Sequence, residues 1–273
     1  MIRGWLALWA VLLGVSCSLA AEVNTLLQGD VRWSEARKLL REGNAAQAKT
    51  ALEELTKKYP NEADLQSFLA MAQLRLRNPD GAAIAVKRAI EINPSHVEAR
   101  TLLAWIQLEV RNDVDSAIKE YAKVVELQPS LPDAHTNLAA ALKHKGQLDQ
   151  AIASLNKALE IKPQFGAALN NRGWIFVEQE KWPEARRDFD QALKLSPQDQ
   201  GALQGMARVL EHERDYAGAQ KILRQLIARS PNFVHWLEWG RIGLIRFWWV
   251  LLTIAILWAL KGRFRKARTE ANG

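Results

Sequence analysis

Six prolines, Pro60, Pro94, Pro129, Pro163, Pro197 and Pro231, recur along the chain at intervals of 34 residues, with one interval of 35. Proline ends helices and interrupts strand ladders, so a chain punctuated this evenly is built from short equal units. Twelve residues before each proline stands an alanine: Ala48, Ala82, Ala117, Ala151, Ala185 and Ala219. About twenty-four before it stands a small residue: Ala36, Ala70, Ala104, Ala139, Gly173 and Ala207. Five before it comes a filler of variable size: Leu55, Ala89, Val124, Ala158, Ala192 and Leu226. Between these marks apolar residues recur at helical spacing. In 166–199 they run through Ala168, Leu169, Gly173 and Phe176, then through Ala185, Phe189 and Ala192. Each unit therefore reads as two antiparallel helices that small side chains allow to approach closely. Its stability is expected to come from stacking on its neighbours.

This pattern resembles the tetratricopeptide repeat (TPR) family, whose 34-residue helix–turn–helix unit has small residues, an alanine, an aromatic and a proline at these offsets. The resemblance implies an all-α, superhelical solenoid of about six units, 29–62, 63–96, 97–131, 132–165, 166–199 and 200–233. It is specific for fold and says little of function, because such arrays bind many unrelated partners. Gly43 and Gly146 suit the left-handed turn that ends a first helix. Unit two is expected to turn with Asn78, Pro79, Asp80 and Gly81, and unit six with Asp215 and Tyr216. Pro183 fits the first turn of a second helix. The extra residue of unit three is expected in the polar loop 111–116, where an insertion costs little.

The formal net charge of +7 suggests nucleic acid only until it is located. Residues 22–240 hold 29 basic and 29 acidic side chains, and the excess lies at Arg3 and beyond position 240. A neutral array has no basic groove to track phosphates, so no nucleic-acid partner is expected. Residues 1–20 have a basic start, an apolar run and small residues at Ser18 and Ala20, the grammar of a secretory signal peptide. Lipidation at Cys17, the only cysteine, and an uncleaved anchor are the alternatives. Near the other end, 247–260 is fourteen uncharged, almost wholly apolar residues, and 242–260 contains only Arg246 as a charge. At about 1.5 Å per residue such a helix is about 28 Å long, so a transmembrane helix over 242–260 is expected. The basic tail 261–273 would then stay in the cytoplasm and the repeats would be exported. Trp236, Trp239, Trp248 and Trp249 read as an interfacial belt on the outer side. Arg246 is expected to reach the headgroups or to pair with an acidic residue in a partner's span. No Asn-x-Ser/Thr sequon occurs in the repeats, which favours a bacterial periplasm over a secretory lumen.

No catalytic or metal-ligating set is expected. His96, His135, His144, His212 and His235 are scattered, and neither a Gly-rich phosphate loop, a GxSxG elbow nor a CxxC is present. No cofactor or small-molecule substrate is expected either. By resemblance, the first helices line a groove for a protein partner, an extended peptide or a helix. Its residues would be Met71 in unit two, Thr101 and Trp105 in unit three, and Thr136, Asn137, Ala140 and Lys143 in unit four. Unit five would add Asn170, Asn171, Trp174 and Glu178. Trp105 and Trp174 each directly follow the small residue of a first helix and are expected to face the groove as anchors, or else to pack on the adjacent first helix with an edge grazing the groove. The clamp that some family members use for a C-terminal carboxylate is incomplete, since Thr136, Ala140, Gly201 and Gly205 stand at its places. The expected role is a membrane-anchored interaction scaffold or assembly factor of a bacterial envelope complex, such as a secretion, pilus, polysaccharide-export or cytochrome-maturation system. A chaperone-like holder of exported clients is the alternative.

Overall fold

Helix follows helix from Val31 to Glu270 in a computed structural model that describes residues 30–229 and 232–270, without the side chains of 233, 248, 249, 251, 255, 256 and 259–270. The expected signal peptide and Cys17 lie outside the described residues. The chain divides after Pro163 into two units.

The first unit contains α1 (Val31–Arg41), α2 (Ala45–Lys58), α3 (Ala63–Arg75), α4 (Pro79–Ile92), α5 (Val97–Trp105), α6 (Val114–Leu127), α7 (Pro132–His144) and α8 (Leu148–Ile161). The second contains α9 (Gly166–Glu178), α10 (Trp182–Leu195), α11 (Gln200–His212), α12 (Tyr216–Arg229) and α13 (Phe233–Glu270). Odd-numbered helices up to α11 open a pair and even-numbered ones close it, so the described chain is an all-α helical-repeat solenoid.

Local chemistry starts the helices. Asn78, Asp113, Asp199 and Asp215 each accept a hydrogen bond from the backbone N–H three residues on, at 2.7–3.1 Å. These caps satisfy donors that a helix end leaves unpaired. Pro79, Pro132 and Pro183 sit in first turns, where a missing N–H is harmless.

Each first helix ends on one residue with positive φ: Gly43, Arg77, Asn112, Gly146, Glu180 and Arg214. The turn after α3 thus bends at Arg77, one residue earlier than the Asn78–Gly81 turn expected from sequence, and Asn78 serves as the cap of α4. Similarly the turn after α11 bends at Arg214, and Asp215 caps α12. The extra residue of the third pair is taken up inside the helix and not in loop 111–116. After Trp105 the backbone widens into a π-turn, Ile106–Val110, closed by Arg111 N–H donating to Ile106 O at 3.1 Å. A π-turn absorbs one residue while keeping its neighbours bonded, so the loop beyond keeps the form it has in the other pairs.

The cores follow the ladder. All six alanines twelve before the prolines are wholly inaccessible, and the small residues and fillers are buried with them. Beside them stand Leu52, Val86, Tyr121, Leu155, Phe189 and Leu223, all buried. Phe189 is the bulkiest fully buried side chain, and its ring fills space that two glycines leave open. A Cβ on Gly173 would lie 2.8 Å from that ring, and one on Gly205 would lie 2.2 Å from it.

The first part of α13 belongs to the array. Ile242 is 2% exposed in one cluster with Leu203, Ala207, Ala219, Leu223 and Leu226, and Trp239 packs against it. Arg241 grips Glu211 with two hydrogen bonds, at 2.6 and 2.8 Å. The point where a span was expected to begin is therefore core. Trp239, expected at the membrane interface, packs on the last helix pair. Among the described residues no helix is long and apolar enough to cross a membrane.

Candidate functional site

The residues expected to line a groove fall into two groups. Met71, Thr101, Trp105 and Thr136 are buried in the first unit. Thr101 and Thr136 turn their hydroxyls back to Val97 O and Pro132 O, at 2.9 and 3.0 Å, which uses up their donors. Trp105, 6% exposed, lies in one core cluster with Met71, Leu74 and Val86 of the preceding pair. Its Nε1 has no hydrogen-bond partner. It is a packing residue, and the groove role expected for it is not the one its surroundings allow. Asn137, Ala140 and Lys143 are half-buried on α7.

In the second unit the corresponding residues come together in an open arrangement. Asn170, Asn171 and Trp174 are half-buried on α9, and Glu178 is exposed at its end. Trp174 Nε1 donates to Gly201 O at 3.3 Å, and its ring meets Phe189 edge-on, with centroids 5.7 Å apart. Asn170 leans on the same glycine, with Nδ2 at 2.6 Å from where a Gly201 Cβ would stand. Gly201 is the shared floor. Any side chain there would push Asn170 aside. The Asn170 Oδ1 atom is shielded and has no partner within the protein. An unpaired amide oxygen of this kind costs about 1–3 kcal/mol, and because it is shielded a donor from outside would reach it only after the Asn170 side chain turned outward.

The wall continues onto α11 and α13. Gln204 Nε2 and His235 Nε2 are 2.8 Å apart, and His235 is buried with Nδ1 unpartnered. Sequence reading placed Gly201 in the groove register only as a missing clamp side chain, and it missed Gln204 and His235 as parts of this face. The available signal was the pair Gly201 and Gly205, four apart on one side of α11, which marks close approach of a neighbouring helix.

Charge is otherwise spent on structure. Arg172 of α9 makes a two-pronged bond to the buried Asp188 of α10, at 2.7 and 2.8 Å. Trp182 stacks on His212 at 4.0 Å, and Arg186 bonds Glu213. In the first unit His96 caps α5, meets Asp64 of α3 at 2.9 Å and lies 3.3 Å from Glu98. Burial alone pulls the imidazolium down, but hydrogen bonds to Asp64 and Glu98 outweigh it and raise the pKa to about 9. Among the described residues no group of three His, Cys, Asp or Glu side chains is placed to hold a metal. Arg246, expected at the membrane boundary or in a partner's span, donates to Gln220 Oε1 of α12 at 3.2 Å and lies over the Phe247 ring.

Comparison with known proteins agrees with this geometry. Residues 34–97, 132–165 and 176–237 match family descriptions reading "Tetratricopeptide repeat", and residues 111–146 match one reading "TPR repeat". Together these take in more than half of the chain, which belongs to the tetratricopeptide-repeat family. No curated protein matches it. Among solved structures it is similar to the PilF protein of Pseudomonas aeruginosa, with a TM-score of 0.68 and 18% identity over 78% of this chain and 96% of that one. It is also similar to PilW, described as a widely conserved type IV pilus biogenesis factor (TM-score 0.69, 19% identity, 78% and 97% covered). MamA from Desulfovibrio magneticus RS-1 is similar as well (TM-score 0.55, 18% identity, 66% and 99% covered). At these identities the likeness is one of fold.

Proposed function

We propose that this chain is an exported, membrane-anchored scaffold that holds a peptide or helix of another protein against the α9–α11 face, as an assembly factor of a bacterial envelope complex. The observation that carries this reading is the half-buried pair Asn170 and Trp174 over Gly201, with Trp174 Nε1 donating to the glycine carbonyl. An aromatic anchor beside a side-chain amide suits an extended backbone, which presents apolar side chains and polar backbone groups in alternation. The likeness in fold to PilW, described as a type IV pilus biogenesis factor, supports an assembly role of this type.

The anchor is α13. Its array-facing side is used up by His235, Trp239, Ile242 and Arg246, whereas Leu244, Phe247, Leu252, Ile254, Leu257 and Trp258 are exposed. An exposed apolar helix of this length needs a lipid or protein cover. In sequence, residues 247–260 carry no charge, and Arg246 just before them is directed to Gln220. The array would stand in the periplasm, with the basic tail in the cytoplasm.

A photoreactive residue in place of Trp174, with one in place of the exposed Arg187 as control, tests the reading in cells. One partner captured at equal stoichiometry from position 174 alone supports the scaffold. A broad set of exported proteins from both positions sinks it in favour of a holder of unfolded clients.

A further inference from the structure

The hydrogen bonds along α13 fix more than its attachment. Gln204 meets His235 and Glu211 meets Arg241, so α13 runs parallel to α11 with an offset near 30 residues. Because α12 returns antiparallel to α11, α13 runs antiparallel to α12; Gln220, one turn into α12, meets both Trp239 O and Arg246, so α13 draws level with the first turn of α12 near Arg246. By this register His212, the end of α11, is level with Ile242. The turn 213–215 is level with the stretch that ends at Phe247, from which α13 continues alone.

The neighbouring pair presents its turn on the same edge. Trp182, first in α10, stacks on His212, and Arg186 one turn later bonds Glu213. Residues 179–182 and 212–216 thus form one continuous edge around the point where α13 leaves the protein. It carries exposed Lys181 and Arg214 among exposed Glu180, Glu213 and Asp215, and half-buried Trp182 and Tyr216. Basic and amphipathic aromatic side chains are the types that settle among phospholipid headgroups.

We propose that this turn edge is the membrane-facing surface of the second unit, with phospholipid headgroups as its partner. The assignment rests on reading α13 as the membrane anchor. It follows that the helix pairs of this unit stand upright on the bilayer. Trp174 lies four residues before Glu178, the end of α9, and so about 6 Å above the edge along the helix axis. The candidate site is then placed to take segments of a partner that is itself emerging from the membrane.

The test uses the full chain with Cys17→Ser, reconstituted in phosphatidylcholine–phosphatidylglycerol vesicles that contain headgroup-nitroxide lipid. A fluorophore is attached at Arg214→Cys, at Lys181→Cys or at Gln198→Cys on the opposite edge. The two edges are about 20 Å apart, so quenching at 214 and 181 is expected to exceed that at 198 at least about threefold. Inserting two glycines and a serine after Arg246 should erase this contrast while the chain stays in the vesicles. Equal quenching at all three sites overturns the edge assignment and leaves the anchor standing. That is the result for an α13 lying flat, with Trp236, Leu237 and Leu244 in the headgroups. Release of the chain by alkaline carbonate overturns the anchor reading and this assignment with it.

Discussion

Trp105 and Trp174 hold the same place in their repeats, directly after the small residue of a first helix, and end in opposite surroundings. Trp105 is sealed in a core with residues of the preceding pair and leaves its Nε1 unpaired. Trp174 reaches forward over Gly201, bonds its carbonyl and keeps part of its ring in solvent. The difference lies in the neighbours: Met71 and Leu74 supply an apolar bed behind Trp105, while Gly201 offers Trp174 a backbone carbonyl with no side chain of its own. Position in a repeat sets the helix face, and the adjoining pair decides whether that face is core or site.

The sharpest way to break this comparison is to remove both rings. Trp105→Ala should cost about 3–5 kcal/mol, as for a large buried aromatic, and show as lost hydrogen-exchange protection in α3 to α5. Trp174→Ala should cost under about 2 kcal/mol and instead abolish partner capture, because part of its area is already in water. Equal costs would mean that Trp174 is also a core residue.

A second contrast is pH. His96 belongs to the first unit, and its folded pKa, about 9, is above the ordinary 6.5. The stabilisation is therefore complete below about pH 6.5 and is lost as pH rises through about 9, to the extent of roughly 2–3 kcal/mol. The cap bond from Ala99 N–H to Nδ1, which only the neutral ring accepts, offsets part of the loss. Unfolding of the first unit should ease over that window, and His96→Asn, which caps without charge, should flatten the profile. A profile unchanged in His96→Asn would place the pH effect elsewhere.

A smaller effect sharpens the role of the glycines in the second unit. Gly173→Ala should destabilise by about 1–3 kcal/mol through overpacking on Phe189. Adding Phe189→Leu, the pairing that Ala36 has with Leu52 and Ala139 with Leu155, should return part of it, read as a coupling in a double-mutant cycle. Additive costs would refute the contact. The smallest effects concern the turns. Gly146→Ala should cost about 1 kcal/mol, and Glu180→Gly should stabilise by up to about the same amount, since both positions have positive φ. Thermal unfolding of the two single variants, expected to shift in opposite directions, checks this.

The helix pairs and their contact residues were legible because close packing of two helices demands small side chains at fixed spacing, and the proline ladder repeats that demand. Gly43 and Gly146 announced their turns, whereas Arg77, Asn112, Glu180 and Arg214 adopt the same backbone with no glycine to signal it. The π-turn after Trp105 was not legible either, since an inserted residue can widen a helix as readily as lengthen a loop and sequence does not distinguish the two. Of the candidate site, Asn170 and Trp174 could be read from their register. Gly201 could be read only as a missing clamp side chain, and Gln204 and His235 could not be read, because their part depends on a partner 31 residues away.

Sequence alone determined the period, the helical class and the buried ladder, because each is a local steric requirement that recurs in every unit. It also made plain the apolar character of residues 247–260. Tertiary structure alone decided which groove-register side chains are closed off. It also decided that Ile242 and Arg246 belong to the array, and where α13 parts from it. Those outcomes depend on which surface the next helix brings against a residue, and on whether that surface carries a side chain or only backbone.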